Sequence, residues 1–250
     1  MTTFPDLLAR ELRADSGRPL VTFYDLGSGE RVELSVATYA NWVAKTASLL
    51  AEECDLARGQ RLLVDLPTHW LTPVFLGAAW TVGLTVVWDE DDAPADGVVC
   101  GPAALTGWSG AAAGRPVVAT ALLPLGVRFP EPVPAGVVDY GVEIWGQPDA
   151  FVPWETAEPT DLAIPGTEQG ELWRAAAAGS LLAGAGFTDG GRLLTEDSPA
   201  SPSGLASFVE PLARSGSLVL VVPADGRDAD ARLDATYAAE RATARQSARS

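Results

Sequence analysis

The sequence predicts an α/β fold, a layered sheet flanked by helices, and three observations predict it. Short, nearly continuous apolar runs, "RLLVDLP" (61–67), "LTVVW" (84–88) and "SLVLVVP" (217–223), have the length and composition of strands buried on both faces. Longer stretches, "VATYANWVAKTASLLAEE" (36–53) and "HWLTPVFLGAAWTVG" (69–83), space their apolar residues as helices do. Strand and helix then alternate along the chain, the mark of a layered α/β sheet.

Taken in order, "FPDLLARELRA" (4–14) opens with a helix. "PLVTFYD" and "ERVELS" are two strands joined by Leu26-Gly27-Ser28-Gly29, a hairpin. Ser35 caps a helix that runs to about Glu53, with Val36, Tyr39, Trp42, Val43, Leu49 and Leu50 on its apolar stripe and Lys45 facing solvent. Gly59 precedes the strand 61–67, Gly83 ends the next helix, and "LTVVW" follows as a strand. "DEDDAPADG" (89–97) is an acidic turn, "GVVCGP" a short strand, "GWSGAAAGR" a loop, and "PVVATALLPLG" holds another strand. "VVDYGVEIWG" (137–146) is a strand candidate, and a loop after residue 158 leads into a helix from Glu171 to about Ala185. "GRLLTED" is a strand, "SGLASFVEPLARSG" a helix, and Asp228 to Ala244 a final Ala-rich helix. The chain reads as a single α/β domain over residues 1–245, with 246–250 as a disordered tail.

Composition narrows the function classes. The 250 residues are 47% apolar, enough for a sizeable core, and carry a net charge of −16. That charge disfavours nucleic acid and anionic membrane as partners. No run is long and apolar enough to span a bilayer, and the N-terminus has no apolar signal core, so a cytoplasmic protein is expected. Cys54 and Cys100, both in apolar surroundings, are expected as buried free thiols. Lys45 is the only lysine and His69 the only histidine.

Residues 30–88 resemble the start of the adenylate-forming superfamily, which comprises acyl-CoA synthetases, peptide-synthetase adenylation domains and luciferases. Gly59-Gln60-Arg61-Leu62 stands where that family has a "G-D-R-V" strand, Pro67-Thr68 where it has "P-N", and Trp80-Thr81-Val82-Gly83 closes the second helix. A second stretch, "LLAGAGFTDGGRLLTEDSPASPSGLASFVEPLARSGSLVLV" (181–221), resembles the segment after the family's phosphate loop, and "AEPTDLA" (157–163) its lead-in. The resemblance implies the N-terminal subdomain of an acyl-CoA synthetase. It also implies a Ser/Thr/Gly-rich loop ending Pro-Lys-Gly that grips the ATP phosphates. In that slot this sequence has Ile164-Pro165-Gly166-Thr167-Glu168-Gln169-Gly170. The hydroxyl run is reduced to Thr167, the lysine is absent and Glu168 adds a negative charge, which costs several kcal/mol against a phosphate at about 4 Å. The degenerate phosphate-loop region is therefore Gly166, Thr167, Glu168, Gln169 and Gly170, with ATP, AMP and magnesium all expected not to bind. The family's histidine turn is replaced by "SPASPSG", and its later half and C-terminal lid have no counterpart in these residues.

Three other constellations are candidates. Thr68 and His69 follow a strand at the sheet edge where α/β proteins place ligands, and Ser201 lies in the second matching stretch; a hydrolytic set of His69, Asp65 and Ser198 or Ser201 lacks a G-x-S-x-G elbow. The "DEDD" run at 89–92 lacks the spacing and glycine of a calcium loop and reads as a solvated turn. Trp108, Trp145 and Trp154 lie in loop-like text, suited to a pocket or an interface. The expected function is a catalytically degenerate relative of AMP-forming ligases with a binding or regulatory role and no catalytic residues. One alternative is half of a split ligase; another is a small-molecule enzyme using His69. The flank where a second subdomain would sit invites a homo-oligomer or a protein partner.

Overall fold

The first helix, α1 (Phe4–Asp15), starts at a capping box in which the Thr3 hydroxyl accepts from the Asp6 amide and the Asp6 carboxylate accepts from the Thr3 amide. The hairpin of β1 (Pro19–Asp25) and β2 (Glu30–Ser35) turns where the Asp25 carboxylate accepts from the Gly27 and Ser28 amides and Gly29 takes a φ of +82°. Ser35 ends β2 and caps α2 (Val36–Ser48) by accepting from the Thr38 amide, and a π-helical turn, Leu49–Glu53, prolongs the helix. The computed structural model describes residues 2–246 apart from 92, 183, 225 and 227.

The rest of the chain builds β3 (Arg61–Asp65), α3 (Leu71–Val82), β4 (Thr85–Val87), β5 (Gly97–Cys100), α4 (Leu105–Trp108), β6 (Val117–Ala119), β7 (Val137–Asp139) and α5 (Tyr140–Glu143). It continues with β8 (Leu162–Ile164), β9 (Thr167–Glu168), α6 (Gln169–Ala177), β10 (Arg192–Thr195), α7 (Leu205–Ala213), β11 (Ser217–Val222), α8 (Ala229–Ala239) and β12 (Ala244–Gln246). The expected layered sheet is two sheets. One has the order β12-β10-β11-β1-β2, parallel except for the hairpin; the other has the order β4-β3-β5-β6-β7, parallel throughout.

Alternation along the strands assigns the layers. In the first sheet Val21, Phe23, Leu193, Leu218 and Leu220 face the main core, while Leu194, Val219 and Val221 face a smaller cluster under Leu233 of α8. In the second, Leu62, Val64, Val99 and Val118 face the main core, while Leu63, Val98, Cys100 and Val117 face Leu105 and Trp108 of α4. The helices between the sheets meet at one aromatic hub, to which α1, α2, α3, α6 and α7 give Phe4, Tyr39, Trp80, Trp173 and Phe208, with ring centroids 5.4–6.5 Å apart in the contacting pairs.

Several element boundaries differ from expectation for local reasons. Helix α6 starts at Gln169 rather than Glu171 and ends at Ala177 rather than near Ala185, because Gly179 takes a left-handed φ of +71°. The last helix stops at Ala239, where Arg241 takes a φ of +51°, and Ala244–Gln246 becomes β12 against β10 instead of helix and tail. The tail proposed for 246–250 thus begins with a strand residue, and 247–250 lie outside the described residues. Only Val137–Asp139 of the 137–146 strand candidate is strand, since the Asp139 carboxylate accepts from the Gly141 amide and starts a helical turn. Lys45 does not face solvent: its side chain is 19% exposed, donates to the Gln147 carbonyl and pairs with Asp149 at 3.2 Å. Both cysteines are buried free thiols, and desolvation raises Cys54 to about 12 and Cys100 to about 11. No helix among the described residues is long and apolar enough to cross a membrane.

Candidate functional site

Residues 159–170 form a tight antiparallel hairpin instead of an open loop. Strand β8 turns at Pro165-Gly166, with Gly166 at φ +73°, and returns as β9, Leu162 opposite Glu168. The helix that follows has its first amides already filled: the Gln169 N–H donates to the Asp161 carbonyl and the Gly170 N–H to the Pro159 carbonyl, each at 2.8 Å. Gln169 is wholly buried and serves the core. Its Oε1 accepts from the Phe4 amide and its Nε2 donates to the Trp80 carbonyl, both at 3.0 Å, tying α1 and α3 to the head of α6. Gly170 is a buried helix residue, Glu168 is exposed, and Thr167 lines a neighbouring cavity. Arg58 reaches the base of the hairpin, but Asp161 holds it at 2.7 Å and Glu158 at 3.2 Å.

The loops after β3 and β10 meet in a seam at the carboxyl ends of the two sheets. Thr68 Oγ1 donates to the Glu196 carbonyl at 3.0 Å, and Ser198 Oγ donates to the Leu66 carbonyl at 3.3 Å. Ser201 Oγ donates to the Ser198 carbonyl and accepts from the Gly204 amide, closing the turn before α7. His69 points into the core. It is 3% exposed, its Nδ1 accepts from the Leu71 amide, and its ring packs 4.9 Å from Phe23. Burial pulls its pKa down to about 4, an effect that the charge of Asp25 only partly offsets. Its Nε2 is enclosed with no partner among the described residues. Asp65 is elsewhere, accepting from Trp108 Nε1 at 2.7 Å. The seam therefore joins Thr68, Ser198 and Ser201, and among the described residues no hydrogen bond links His69 to Asp65 or to either serine.

Beside the hairpin lies a cavity of about 460 Å³ between α6, the start of α7 and Leu181, Leu182 and Ala185. Its floor is apolar, from Ile164, Leu172 and Leu205, and Thr167, Ser203 and Gln246 add polar groups. Glu210, 1% exposed, holds the 181–182 wall by accepting from the Leu181 and Leu182 amides at 2.9 and 2.8 Å and pairing with Arg214 at 2.9 Å. Sequence reasoning passed over Glu210, although a carboxylate amid the apolar run "FVEPLA" is a signal of a buried anchoring role.

Elsewhere, Glu90 of the acidic run is taken by Arg115 and by the Ala95 amide, and the pairing with Arg115 holds its carboxyl at about 2. Asp92 lies outside the described residues. Among the described residues no group of three or more His, Cys, Asp or Glu side chains is placed to hold a metal ion. Of the three tryptophans expected in loops, Trp108 ends α4 instead and donates to Asp65, Trp145 sits in a helical turn and is 58% exposed, and Trp154 is 91% exposed.

No family model matches the chain. A protein of Mycobacterium tuberculosis described as a TIGR03089 family protein is 36% identical over 220 residues, which are 86% of this chain and 87% of that one. The chain belongs to the TIGR03089 family. Among solved structures, this TIGR03089 family member is similar to an acyl-CoA synthetase of Brucella canis, with a TM-score of 0.79 and 15% identity over 98% of this chain and 47% of that one. It is also similar to a long-chain-fatty-acid-CoA ligase of Archaeoglobus fulgidus, with a TM-score of 0.73 and 11% identity over 97% and 50% of the two chains. The family member spans about half the length of these structures, and its fold is that of the N-terminal part of acyl-CoA synthetases.

Proposed function

We propose that this chain is a non-adenylating relative of the AMP-forming ligases, a scaffold that binds a small molecule or a protein. The observation that carries the reading is the filled head of α6. The amides of Gln169 and Gly170 are spent on carbonyls of the chain itself, Arg58 is spent on Asp161 and Glu158, and Glu168 and Glu171 bring like charge to where a phosphate would sit. Adenylation requires preorganised positive groups at the α-phosphate, where charge develops in the transition state. ATP, AMP and magnesium are accordingly not its cofactors. The acidity of the chain supports a protein that avoids nucleic acid and anionic membrane, in keeping with a cytoplasmic role.

Pyrophosphate exchange is the direct test. The purified chain with ATP, magnesium and a panel of carboxylic acids is expected to exchange no label above the blank, and exchange by the chain alone overturns the reading. A thermal-shift series gives a second readout: a nucleotide at a hundred times its dissociation constant would add about 2.7 kcal/mol, a rise of several degrees, and no rise is expected with ATP and magnesium.

One feature favours a second reading, in which the chain is half of a ligase completed by another polypeptide or a second copy. Strand β12 is the edge of its sheet, with β10 on one side and no strand on the other among the described residues. Size-exclusion chromatography with light scattering tests the homodimeric form of that idea, which a monomer at micromolar concentration excludes. His69 supports no separate chemistry, since its ring is enclosed in the core.

A further inference from the structure

The cavity beside the hairpin can be read for the kind of molecule it accepts. Its volume, about 460 Å³, falls in the range of small-molecule sites. Leu172, Leu182 and Leu205 are buried and make it a place for an alkyl or aryl body. Thr167 and Ser203 are hydroxyls, and among the described residues the only ionisable group in the lining is the carboxylate of Glu171, with no lysine, arginine or histidine. The amide nitrogen of Gln246 is spent on the Asp197 carboxylate and the Ser203 carbonyl at 3.1 and 3.2 Å. Its carbonyl oxygen is enclosed with no donor among the described residues. A carboxylate entering this lining would meet a like charge and, among the described residues, no cation, whereas an ammonium would meet the Glu171 carboxylate, the hydroxyl oxygens and the Gln246 carbonyl as acceptors.

We propose that the cavity binds a small apolar molecule whose polar end is a hydrogen-bond donor, with a primary amine preferred over an alcohol and a carboxylate disfavoured. This rests on the reading of the chain as a binding protein and gives that reading a ligand class. The wall is preformed rather than closed by the ligand, because Glu210 fixes the Leu181 and Leu182 amides whether or not the cavity is filled.

The test uses hexylamine, hexanol and hexanoate at pH 7 and equal ionic strength, with melting temperature and calorimetric titration as readouts. Hexylamine is expected to bind most tightly and hexanoate about tenfold or more weakly. Ala206→Trp, on the α7 wall, fills the space and is expected to abolish binding of all three. Glu171→Lys, at an exposed position that leaves the core untouched, is expected to reverse the order so that hexanoate outbinds hexylamine, and it decides the matter if Ala206→Trp fails to fold. Hexanoate binding as tightly as hexylamine to the unmodified chain, an unchanged order in Glu171→Lys, or binding of none of the three would each overturn the assignment. Absence of binding with no pyrophosphate exchange removes the ligand class alone, whereas exchange with hexanoate removes the non-adenylating reading itself.

Discussion

His69 shows how far one side chain's role depends on what surrounds it. As the sole histidine, after a strand at a sheet edge, it has the address of a site residue, yet the ring is packed on Phe23 and held neutral. Its folded pKa of about 4 lies below its ordinary 6.5, so the unfolded chain takes up the proton first as pH falls. The stabilisation is complete above pH 6.5 and is lost between 6.5 and 4, a change of at most about 3 kcal/mol. Urea melts at pH 7 and pH 4.5 are expected to show this loss in the natural chain. They are expected to show less of it in His69→Asn, whose side-chain oxygen can still accept from the Leu71 amide. Gln169 is the reverse case. The sequence places it in a loop beside a vanished phosphate site, and the structure makes it the buried tie between Phe4 and Trp80, partners 165 and 89 residues away. Nothing in a linear reading marks so distant a pairing, whereas the missing lysine and the added Glu168 are legible as charges.

Among elements, those with a sustained apolar pattern or a clear turn were the legible ones. Strands β3 and β11 and helices α2 and α3 announce themselves because their apolar pattern persists for five residues or more. Strand β12 is three residues long and half exposed, so its preference is set by pairing with β10 rather than by its own residues. What holds the end of α8 near that edge is an ionic cluster. Glu240 accepts from Tyr24 and Arg31 on the β1–β2 hairpin and pairs with Arg192 on β10, with its side chain 9% exposed. Glu240→Ala leaves Arg192, 14% exposed, without that partner and is expected to cost about 1–3 kcal/mol. Hydrogen exchange resolves where: the Thr243 amide, which donates to the Arg192 carbonyl, is expected to lose protection, while the Leu63 and Val99 amides of the other sheet keep theirs.

At the scale of the molecule, the class of fold was readable and the division into two sheets was not. Sheet membership is decided by β1 pairing with β11 and β3 with β5, and neither partnership joins strands that are consecutive in sequence. The same holds for the cavity, whose walls come from residues 164, 205 and 246 and are assembled by the fold. The two sheets are held on one aromatic hub, and Gly77 is where the hub is tightest. A Cβ there would lie 2.3 Å from Tyr39 Oη and 2.6 Å from Phe4 Cζ, so the rings on α1 and α2 would have to move. Gly77→Ala is expected to lower stability by about 1–3 kcal/mol and to change the near-ultraviolet circular dichroism of the packed aromatics. A melting temperature and aromatic spectrum equal to those of the natural chain would show the hub to be looser than described.

The partnership of β1 with β11 has a bearing on how the chain is made. Val21 lies opposite Leu218, so on the ribosome the first strand, though its hairpin partner β2 follows at once, must wait for almost the whole polypeptide to emerge before its parallel neighbour exists. At ordinary elongation rates that wait is on the order of 10–40 s. Until then the nascent N-terminus presents Phe4, Leu20, Val21 and Phe23 without their final cover, so the apolar face of β1 is the part of the chain that stays open longest during synthesis.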